Sequence, residues 1–223
     1  MGRINHALIM AAGRGMRMMP LTTDIPKPMI SFDGVTLIER GIEGIKKHVP
    51  NIHITVGYKG AVLAEHVIKI GVNSVFNTEG KGNSWWIYNS MIKYLNEPVF
   101  VLTCDNVVEM DFEALAEEYF KCGEPAAVVV PVKPIKGFDG DYIVHNKNIV
   151  TKISRTDVTD IYCSGIQILN PVKVNGLTSS TESFYEVWDQ LIKKQQLYCS
   201  SFQPQKWLAI DTLDQLQGAL NKK

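Results

Sequence analysis

Short apolar runs alternate with amphipathic stretches over the first 135 residues of the chain. The apolar runs have the length of buried strands, and the amphipathic stretches repeat their apolar positions with the period of a helix. This alternation predicts an α/β fold in which a mainly parallel sheet carries helices on both faces. The predicted strands are Ala7–Met10, Asn51–Val56, Ser74–Phe76, Val99–Thr103 and Ala126–Val132, and the predicted helices are Leu37–His48, Ala61–Lys69, Ser84–Leu95 and Phe112–Lys121.

The pattern changes from Phe138 onward, where strand-like segments predominate. Some of these strands are expected to be antiparallel, so the complete sheet should be mixed. The predicted strands are Asp141–His145, Ile149–Ile153, Ile161–Leu169, Tyr198–Phe202 and Leu208–Ile210, and the predicted helices are Glu182–Gln195 and Leu213–Leu220. We expect one domain over residues 1–223, with a first half at 1–135 and a smaller, β-rich half at 136–223.

Composition narrows the class of protein. The chain has 23 basic and 23 acidic residues, so it lacks the basic excess of a typical nucleic-acid-binding protein. The sequence contains no apolar run of about 20 residues that would span a membrane, and Asn5 and His6 interrupt the short apolar segment that would resemble a signal peptide. The cysteines show no C-x-x-C spacing and are expected to be reduced in a cytoplasmic protein; they are Cys104, Cys122, Cys163 and Cys199.

A small glycine-containing loop follows the first predicted strand. Gly13 and Gly15 allow the backbone to approach a ligand closely, because they have no Cβ atom. Arg17 and Lys27 follow the loop; a guanidinium can grip phosphate oxygens through two hydrogen bonds, and an ammonium adds a compact positive charge. Backbone N–H groups and cations in this arrangement favour binding of a triphosphate.

The same segment resembles the signature of the nucleotidyltransferases that make activated sugars and alcohols, L-A-A-G-x-G-T-R-L-x-P-L-T-x-x-x-P-K. Met16 and Met18 depart from this pattern, and neither departure removes a phosphate ligand. The resemblance implies a Rossmann-like, doubly wound, glycosyltransferase-A-like fold and an enzyme of EC 2.7.7 type. It also implies that residues 1–135 bind the nucleotide and residues 136–223 bind the acceptor. The matching residues are Ala11, Ala12, Gly13, Gly15, Arg17, Pro20, Leu21, Thr22, Pro26 and Lys27.

Two aspartates are candidate ligands of Mg²⁺. Asp105 follows the apolar run 99–104, and a carboxylate at the end of a buried strand suits a metal that also binds phosphate oxygens. The resemblance implies the same role for Asp211 in the segment 207–212. The alternatives are that Asp105 caps a turn together with Asn106 and that Asp211 caps the final helix.

The segment 77–86 lies where the resemblance implies recognition of the base. Asn77, Gly82 and Asn83 are therefore candidate nucleotide-binding residues. Gly82-Asn83-Ser84 followed by two tryptophans resembles the small cytidylyltransferases that act on phosphocholine or inositol phosphate. Trp85 and Trp86 face different sides of a helix, so one of them is a candidate to hold a quaternary ammonium by cation–π attraction; packing of both in the core is the alternative.

Several residues of the second half are candidates for binding the acceptor. Sugar 1-phosphate members of the family carry a Glu-Lys-Pro segment where this chain has 152–157, so Arg155 is either a replacement for the phosphate-binding cation or a surface residue. Gly165 lies in a segment that resembles the one placed against the acceptor. Glu182, Trp188 and Asp189 resemble residues of a helix in the phosphocholine group, and packing of an amphipathic helix is the alternative for the other residues of that stretch.

The expected reaction is attack of an acceptor phosphate on the α-phosphorus of an NTP, with Mg²⁺ as cofactor and pyrophosphate as leaving group. Backbone groups of Ala11, Ala12, Gly13 and Gly15 would hold base and phosphates. Arg17 would bind the leaving phosphates, and Lys27 would bridge the acceptor phosphate and the α-phosphate. We expect CTP and a phosphocholine-like acceptor.

Two other functions stay open at this point. One is an NDP-sugar pyrophosphorylase that uses UTP, dTTP or GTP and a sugar 1-phosphate. The other is a catalytically silent regulatory paralogue, against which the intact set of Arg17, Lys27 and Asp105 argues. Expected partners are the NTP and the small phosphorylated acceptor, with no nucleic acid and no membrane, and a homo-oligomer is left open.

Overall fold

A nine-stranded sheet organises residues 2–135 and 140–221, which are the residues that the computed structural model describes. The second predicted half begins at residue 136. Residues 136–139, which include Phe138, lie outside the described residues. The strands of this sheet are β1 (His6–Ala11), β4 (Asn51–Val56), β5 (Ser74–Asn77), β6 (Val99–Thr103), β8 (Ala127–Val132), β9 (Tyr142–Asn146), β10 (Ile149–Ser154), β11 (Tyr162–Leu169) and β12 (Leu197–Cys199). Two separate two-stranded antiparallel sheets accompany it, β2 (Ser31–Phe32) with β3 (Val35–Thr36), and β7 (Asn106–Glu109) with β13 (Lys206–Ala209).

The helices flank the sheet. Thr36 and Glu39 form a reciprocal capping box at the first turn of the first helix, which explains why that helix begins where it does. Among the described residues, no helix is both long and apolar enough to cross a membrane. The α-helices are α1 (Leu37–Ile45), α2 (Gly60–Ile70), α3 (Trp85–Asn89), α4 (Phe112–Lys121), α5 (Pro171–Leu177), α6 (Phe184–Lys193) and α7 (Leu213–Leu220).

The strand order of the sheet is β5-β4-β1-β6-β11-β8-β12-β10-β9. β5, β4, β1 and β6 are parallel to one another, whereas β11 is antiparallel to both of its neighbours in this order, β6 and β8. The expected mixed α/β sheet is therefore confirmed. β11 and β12 come from the second half of the chain and lie inside the sheet, so both halves contribute to one structural unit.

Buried side chains cover both faces of the sheet. Ile9 of β1 packs in one core with residues of α1, and the neighbouring Leu8 packs in a second core with Trp86 and Val101. Successive side chains of a strand point to opposite faces, so β1 takes part in both cores. This burial fixes the carboxyl ends of β1 and β6 next to each other, where ligands bind in open α/β sheets.

The predicted helix Ser84–Leu95 is wrong as a single helix. α3 ends at Asn89, and Ser90 adopts an extended conformation before a separate 3₁₀ turn, Met91–Tyr94. The Ser90 hydroxyl donates to the Trp86 carbonyl and accepts from the Ile92 N–H, which replaces the helical bonds there.

Other elements also differ from the sequence predictions. The predicted helix Glu182–Gln195 is α6 in the structure and spans Phe184–Lys193, so Glu182 lies before it. The strands β2, β3 and β7 and the helix α5 were not predicted from the sequence. β7 has only four residues, and it is stabilised by pairing with β13, which lies about one hundred residues later in the chain.

Two histidines pack against each other between β1 and β4. His6 Nδ1 lies 3.0 Å from His53 Nε2, and His53 Nδ1 lies 2.7 Å from Ser74 Oγ. Burial, with a smaller contribution from His6, lowers the pKa of His53 to about 4. The unfolded chain therefore binds a proton at higher pH than the folded protein does.

We expect the free energy of unfolding to fall as the pH drops from about 6.5 towards 4, by at most about 3 kcal/mol from His53. Above pH 6.5 His53 is neutral in both states and has no such effect. Urea unfolding of His53→Gln and of the exposed control His145→Gln at pH 7 and pH 5 measures this. The stability of His53→Gln should depend less on pH than that of the wild type, and an unchanged pH dependence would contradict the assignment.

Candidate active site

The loop after β1 folds back on itself at Gly15. This residue has φ +63°, and a Cβ atom there would lie 2.6 Å from Lys27 Cβ. The Thr22 hydroxyl donates to the Gly15 carbonyl over 3.0 Å, which closes the turn. Glycine is needed because both the left-handed backbone and the contact exclude a side chain. The close approach fixes Lys27 directly beside the loop.

Lys27 joins the two candidate metal ligands. Its Nζ atom lies 2.7 Å from Asp105 Oδ2 and 2.6 Å from Asp211 Oδ1. Arg17 Nη2 lies 3.1 Å from the same oxygen of Asp211. Asp105 occupies the turn between β6 and β7, and Asp211 follows β13, so the sheet brings together residues that lie far apart in the sequence.

The structure decides the alternative role considered for Asp211. The cap of α7 is Thr212, whose hydroxyl accepts from the Gln215 N–H, while the Gln215 side chain accepts from the Thr212 N–H. Asp211 is therefore not the capping residue, and its carboxylate contacts Lys27 and Arg17 instead.

Lys27 and Asp105 stabilise each other's charged forms. Burial by itself would lower the pKa of Lys27, but the charges and hydrogen bonds of Asp105 and Asp211 outweigh it and raise that pKa. Burial would raise the pKa of Asp105, but the Lys27 ammonium outweighs it and lowers that pKa. The neighbouring Cys104 thiol has a raised pKa because it is buried, and it stays protonated. The site thus combines a buried cation with the Asp105 carboxylate, whose charged form that cation stabilises.

Asp105 and Asp211 fit the requirements of Mg²⁺. The ion takes one or two protein carboxylates and completes its coordination with water and phosphate oxygens. Within the described ranges, no group of three or more His, Cys, Asp or Glu side chains could hold a metal by itself. The two carboxylates would supply part of the coordination that Mg²⁺ needs, and water or phosphate oxygens would complete it.

A cavity of about 640 Å³ opens at the carboxyl ends of β1 and β6. Six of the eight predicted nucleotide-binding residues line it: Ala12, Gly13, Gly15, Arg17, Gly82 and Asn83. Ala11 is buried in β1, and its N–H donates to Thr55 Oγ1. The Asn77 side chain accepts from the Glu79 N–H. Sequence reasoning missed the lining residues Met10, Arg14, Thr55, Thr78, Gly80, Lys81 and Thr103.

A second cavity of about 450 Å³ lies beside the first. Asp105 and Asp211 line both, so the carboxylates stand where the two cavities meet. Of the predicted acceptor residues, Arg155, Gly165 and Trp188 line the second cavity, while Lys27 and Trp86 line the first. Trp85, Glu182 and Asp189 are not among the described residues that line either cavity.

The two tryptophans occupy different environments, as their helical spacing predicted. Trp86 is 1% exposed, and its ring centroid lies 6.4 Å from that of Phe184. Trp85 is partly buried, with the Lys81 ammonium 5.8 Å from its ring centroid. Trp86 therefore combines core packing with a place in the wall of the first cavity.

Glu182 contacts Gly82, which lines the first cavity. Its carboxylate accepts from the Gly82 N–H over 2.9 Å, and a Cβ atom on Gly82 would lie 1.9 Å from the Glu182 carbonyl oxygen. The Asn83 side chain accepts from the Phe184 N–H at the start of α6. These contacts hold the segment 80–84 against the second half of the chain. Asp189 is exposed on α6.

The second cavity has aromatic walls, and Asp141 adds a carboxylate to those of Asp105 and Asp211. Trp188, Tyr162 and Trp207 supply the aromatic surface, and the Trp188 N–H donates to Gln167 Oε1. Arg155 Nε lies 3.2 Å from Asp141 Oδ1, so the charge of Asp141 is partly compensated. Tyr162, Asp141 and Trp207 were missed because their place in the wall depends on strand pairing, which is not visible in the local sequence.

Comparison with known proteins gives a consistent result. A family model described as "Nucleotidyl transferase" matches residues 6–222. Mannose-1-phosphate guanyltransferase of Saccharomyces cerevisiae is 28% identical over 207 residues, which cover 86% of this chain and 57% of that protein. The chain thus spans somewhat more than half the length of the curated relatives it matches.

Two solved structures have the same fold. The inositol-1-phosphate CTP transferase from T. maritima has a TM-score of 0.78 and 21% identity, and covers 99% of this chain and 98% of its own. The CTP:phosphocholine cytidylyltransferase from Streptococcus pneumoniae has a TM-score of 0.76 and 22% identity, and covers 98% of both chains. These identities are low and speak for the fold alone. The match of the family model over residues 6–222 shows that the chain belongs to the nucleotidyl transferase family.

Proposed function

We propose that the protein transfers an NMP group from an NTP to a small phosphorylated acceptor and releases pyrophosphate in the presence of Mg²⁺. The observation that carries this proposal is the contact of Lys27 with both Asp105 and Asp211 at the junction of the two cavities. One cavity has the glycine loop for a nucleotide, and the other has room for an acceptor. The reacting groups would then meet beside the charged cluster.

The side chains stabilise charge and position the reactants. An acceptor phosphate is already ionised at neutral pH, so it needs no general base to act as a nucleophile. Lys27 neutralises the negative charge of the phosphates that meet at the α-phosphorus, and Arg17 binds the leaving phosphates. Asp105 and Asp211 would hold Mg²⁺, which would supply further positive charge between the phosphates. Lys27 exchanges its carboxylate partners for phosphate oxygens when the substrates bind.

CTP and a phosphocholine-like alcohol phosphate are the favoured substrates. Trp188, Tyr162 and Trp207 give the second cavity the aromatic surface that attracts a quaternary ammonium, and the Asp141 carboxylate adds negative potential. The Gly82-Asn83-Ser84 segment, which resembles that of the small cytidylyltransferases, also supports this choice.

An NDP-sugar pyrophosphorylase is the second candidate. It is favoured by the yeast relative, whose name describes a guanyltransferase for mannose 1-phosphate. Asp141 and Arg155 could then serve sugar hydroxyl and phosphate groups in the second cavity. This function uses the same charged cluster and differs in the base and the acceptor.

Pyrophosphate release tests the proposal. CTP, UTP, dTTP, GTP and ATP are each combined with phosphocholine, inositol 1-phosphate and a panel of sugar 1-phosphates in the presence of Mg²⁺. Release with CTP and an alcohol phosphate is expected, and release with GTP and mannose 1-phosphate would favour the second candidate. NTP binding without release from any pair would overturn the catalytic proposal and support the silent regulatory paralogue.

A further inference from the structure

One backbone carbonyl joins the two chain segments that carry the aspartates. The Ser164 oxygen accepts from Asn106 Nδ2 over 2.6 Å and from Trp207 Nε1 over 2.8 Å. Asn106 directly follows Asp105, and Trp207 lies four residues before Asp211. We call Asn106, Ser164 and Trp207 the carbonyl cluster. Both acceptor positions of the carbonyl oxygen are used, one by each aspartate-bearing segment.

Ser164 is itself held firmly. It is 1% exposed, its hydroxyl donates to the Val130 carbonyl over 2.8 Å, and the same hydroxyl accepts from the Ile166 N–H. The pairing of β11 with β8 shifts register between Cys163 and Gln167, so Ser164 lies in an irregular part of the strand. This irregularity turns the Ser164 carbonyl towards β7 and β13 and out of the regular ladder.

Gly165 allows this approach. Its φ is +83°, and a Cβ atom there would lie 2.8 Å from Asn106 Nδ2 and 2.9 Å from Thr103 Oγ1. The Asn106 amide also donates to Thr103 Oγ1 over 2.7 Å. The Asn106 side chain is therefore fixed between Ser164 and Thr103, directly next to Asp105 in the chain.

The other side of the carbonyl cluster leads to Asp211. Trp207 pairs with Val108 in the β7–β13 ladder, and the Ile210 N–H donates to the Asp105 carbonyl over 2.9 Å. These bonds align the ends of the two segments, while the Trp207 ring packs edge-on against Tyr162 at 5.8 Å. Asn106 orients the segment that carries Asp105, and Trp207 orients the segment that carries Asp211.

We propose that Asn106 and Trp207 are positioning residues that set the separation of the Asp105 and Asp211 carboxylates for the metal–nucleotide complex. In the structure, Lys27 also holds the two carboxylates together. Once Lys27 turns to phosphate oxygens, two like charges remain side by side and repel each other. The carbonyl cluster then keeps their spacing. This inference rests on the proposed function, because it assigns the aspartate pair to a metal that arrives with the nucleotide.

The test compares Asn106→Leu and Trp207→Phe with the wild type. Both variants keep much of the side-chain volume and remove the donor to Ser164. Mn²⁺ serves as the metal probe, and its affinity for the protein–CTP complex is measured by electron paramagnetic resonance of the free ion. We expect affinity to fall about tenfold in each variant, the usual scale for residues that orient metal ligands. In steady-state assays, kcat should fall while KM for CTP changes little.

Asn73→Leu is the matched control for a loss that is only structural. The Asn73 side chain accepts from the Ile52 N–H over 2.7 Å, next to β4 and β5. This variant should lower the Tm without changing Mn²⁺ affinity. If Asn106→Leu and Trp207→Phe lower the Tm to a similar degree and leave Mn²⁺ affinity unchanged, the positioning role is overturned.

Asp105→Asn separates failure of this inference from failure of the proposed function. If Asp105→Asn weakens Mn²⁺ binding and the two positioning variants do not, only the present inference fails. If Asp105→Asn also leaves Mn²⁺ binding unchanged, the metal role of the aspartates fails, and with it the premise of both proposals.

Discussion

Lys27→Met is expected to lower kcat/KM for nucleotidyl transfer by about 100- to 1000-fold, the usual cost of one preorganised contact to transition-state charge. Lys27 is 7% exposed and points its ammonium at the junction of the two cavities. A buried cation is screened little by water, so no surface lysine can replace it. Pyrophosphate release under saturating and limiting CTP measures the effect.

The same variant has a second expected result. Without Lys27, the carboxylates of Asp105 and Asp211 lose the ammonium that competes with a metal, so the nucleotide-free protein should bind Mn²⁺ more tightly than the wild type does. Lys69→Met is the control, because Lys69 forms an exposed ion pair with Glu65 on α2 and lines neither of the two cavities described here. Wild-type turnover by Lys27→Met would show that the lysine is not part of the reaction.

Asp105→Asn is expected to reduce activity by a similar factor, about 100- to 1000-fold. Asparagine has nearly the same shape, so the variant removes the charge and leaves the packing of the turn after β6 intact. With one carboxylate lost, the pair offers Mg²⁺ less negative charge, and the Mg²⁺ concentration for half-maximal rate should rise. A Mg²⁺ titration of the rate at fixed CTP measures both changes.

Asp105→Asn is also expected to change the free energy of unfolding relative to the wild type. The lowered pKa of Asp105 stabilises the folded state above the ordinary aspartate pKa, and this stabilisation is lost as the pH falls through the lowered value. The variant should therefore be less stable than the wild type at pH 7 and more nearly equal to it in acid. Asp214→Asn, an exposed change in the first turn of α7, is the matched control. An Asp105→Asn enzyme with wild-type rate and Mg²⁺ dependence would contradict the metal role.

Much of the lining of the first cavity could be predicted from local sequence. Gly15 must be glycine because of its backbone conformation, and the residues from Ala12 to Arg17 are continuous in the chain, so they reach one cavity together. The position of Asp105 after a buried strand could also be predicted, because the apolar run before it marks β6. Short-range geometry of this kind depends on residues that are adjacent in the chain, so the local sequence predicts it.

Other features depended on contacts between distant parts of the chain. Lys27 and Asp211 are 184 positions apart, and only the pairing of β13 with β7 places Asp211 beside Asp105. Ser90 ended a helix that its flanking residues favoured, because its hydroxyl found backbone partners. The sequence did not show which of Trp85 and Trp86 would line a cavity. In the structure Trp86 packs against Phe184 and lines the first cavity.

The sequence by itself determined the alternation of strands and helices, the glycine loop and the types of charged residue available to the site. These follow from side-chain periodicity and from local backbone sterics. The tertiary structure alone decided which charges meet, since a buried ion pair forms only where the sheet brings its members within a few ångströms. It also decided the walls of the second cavity, because Asp141, Tyr162 and Trp207 converge there through strand pairings that no local pattern specifies.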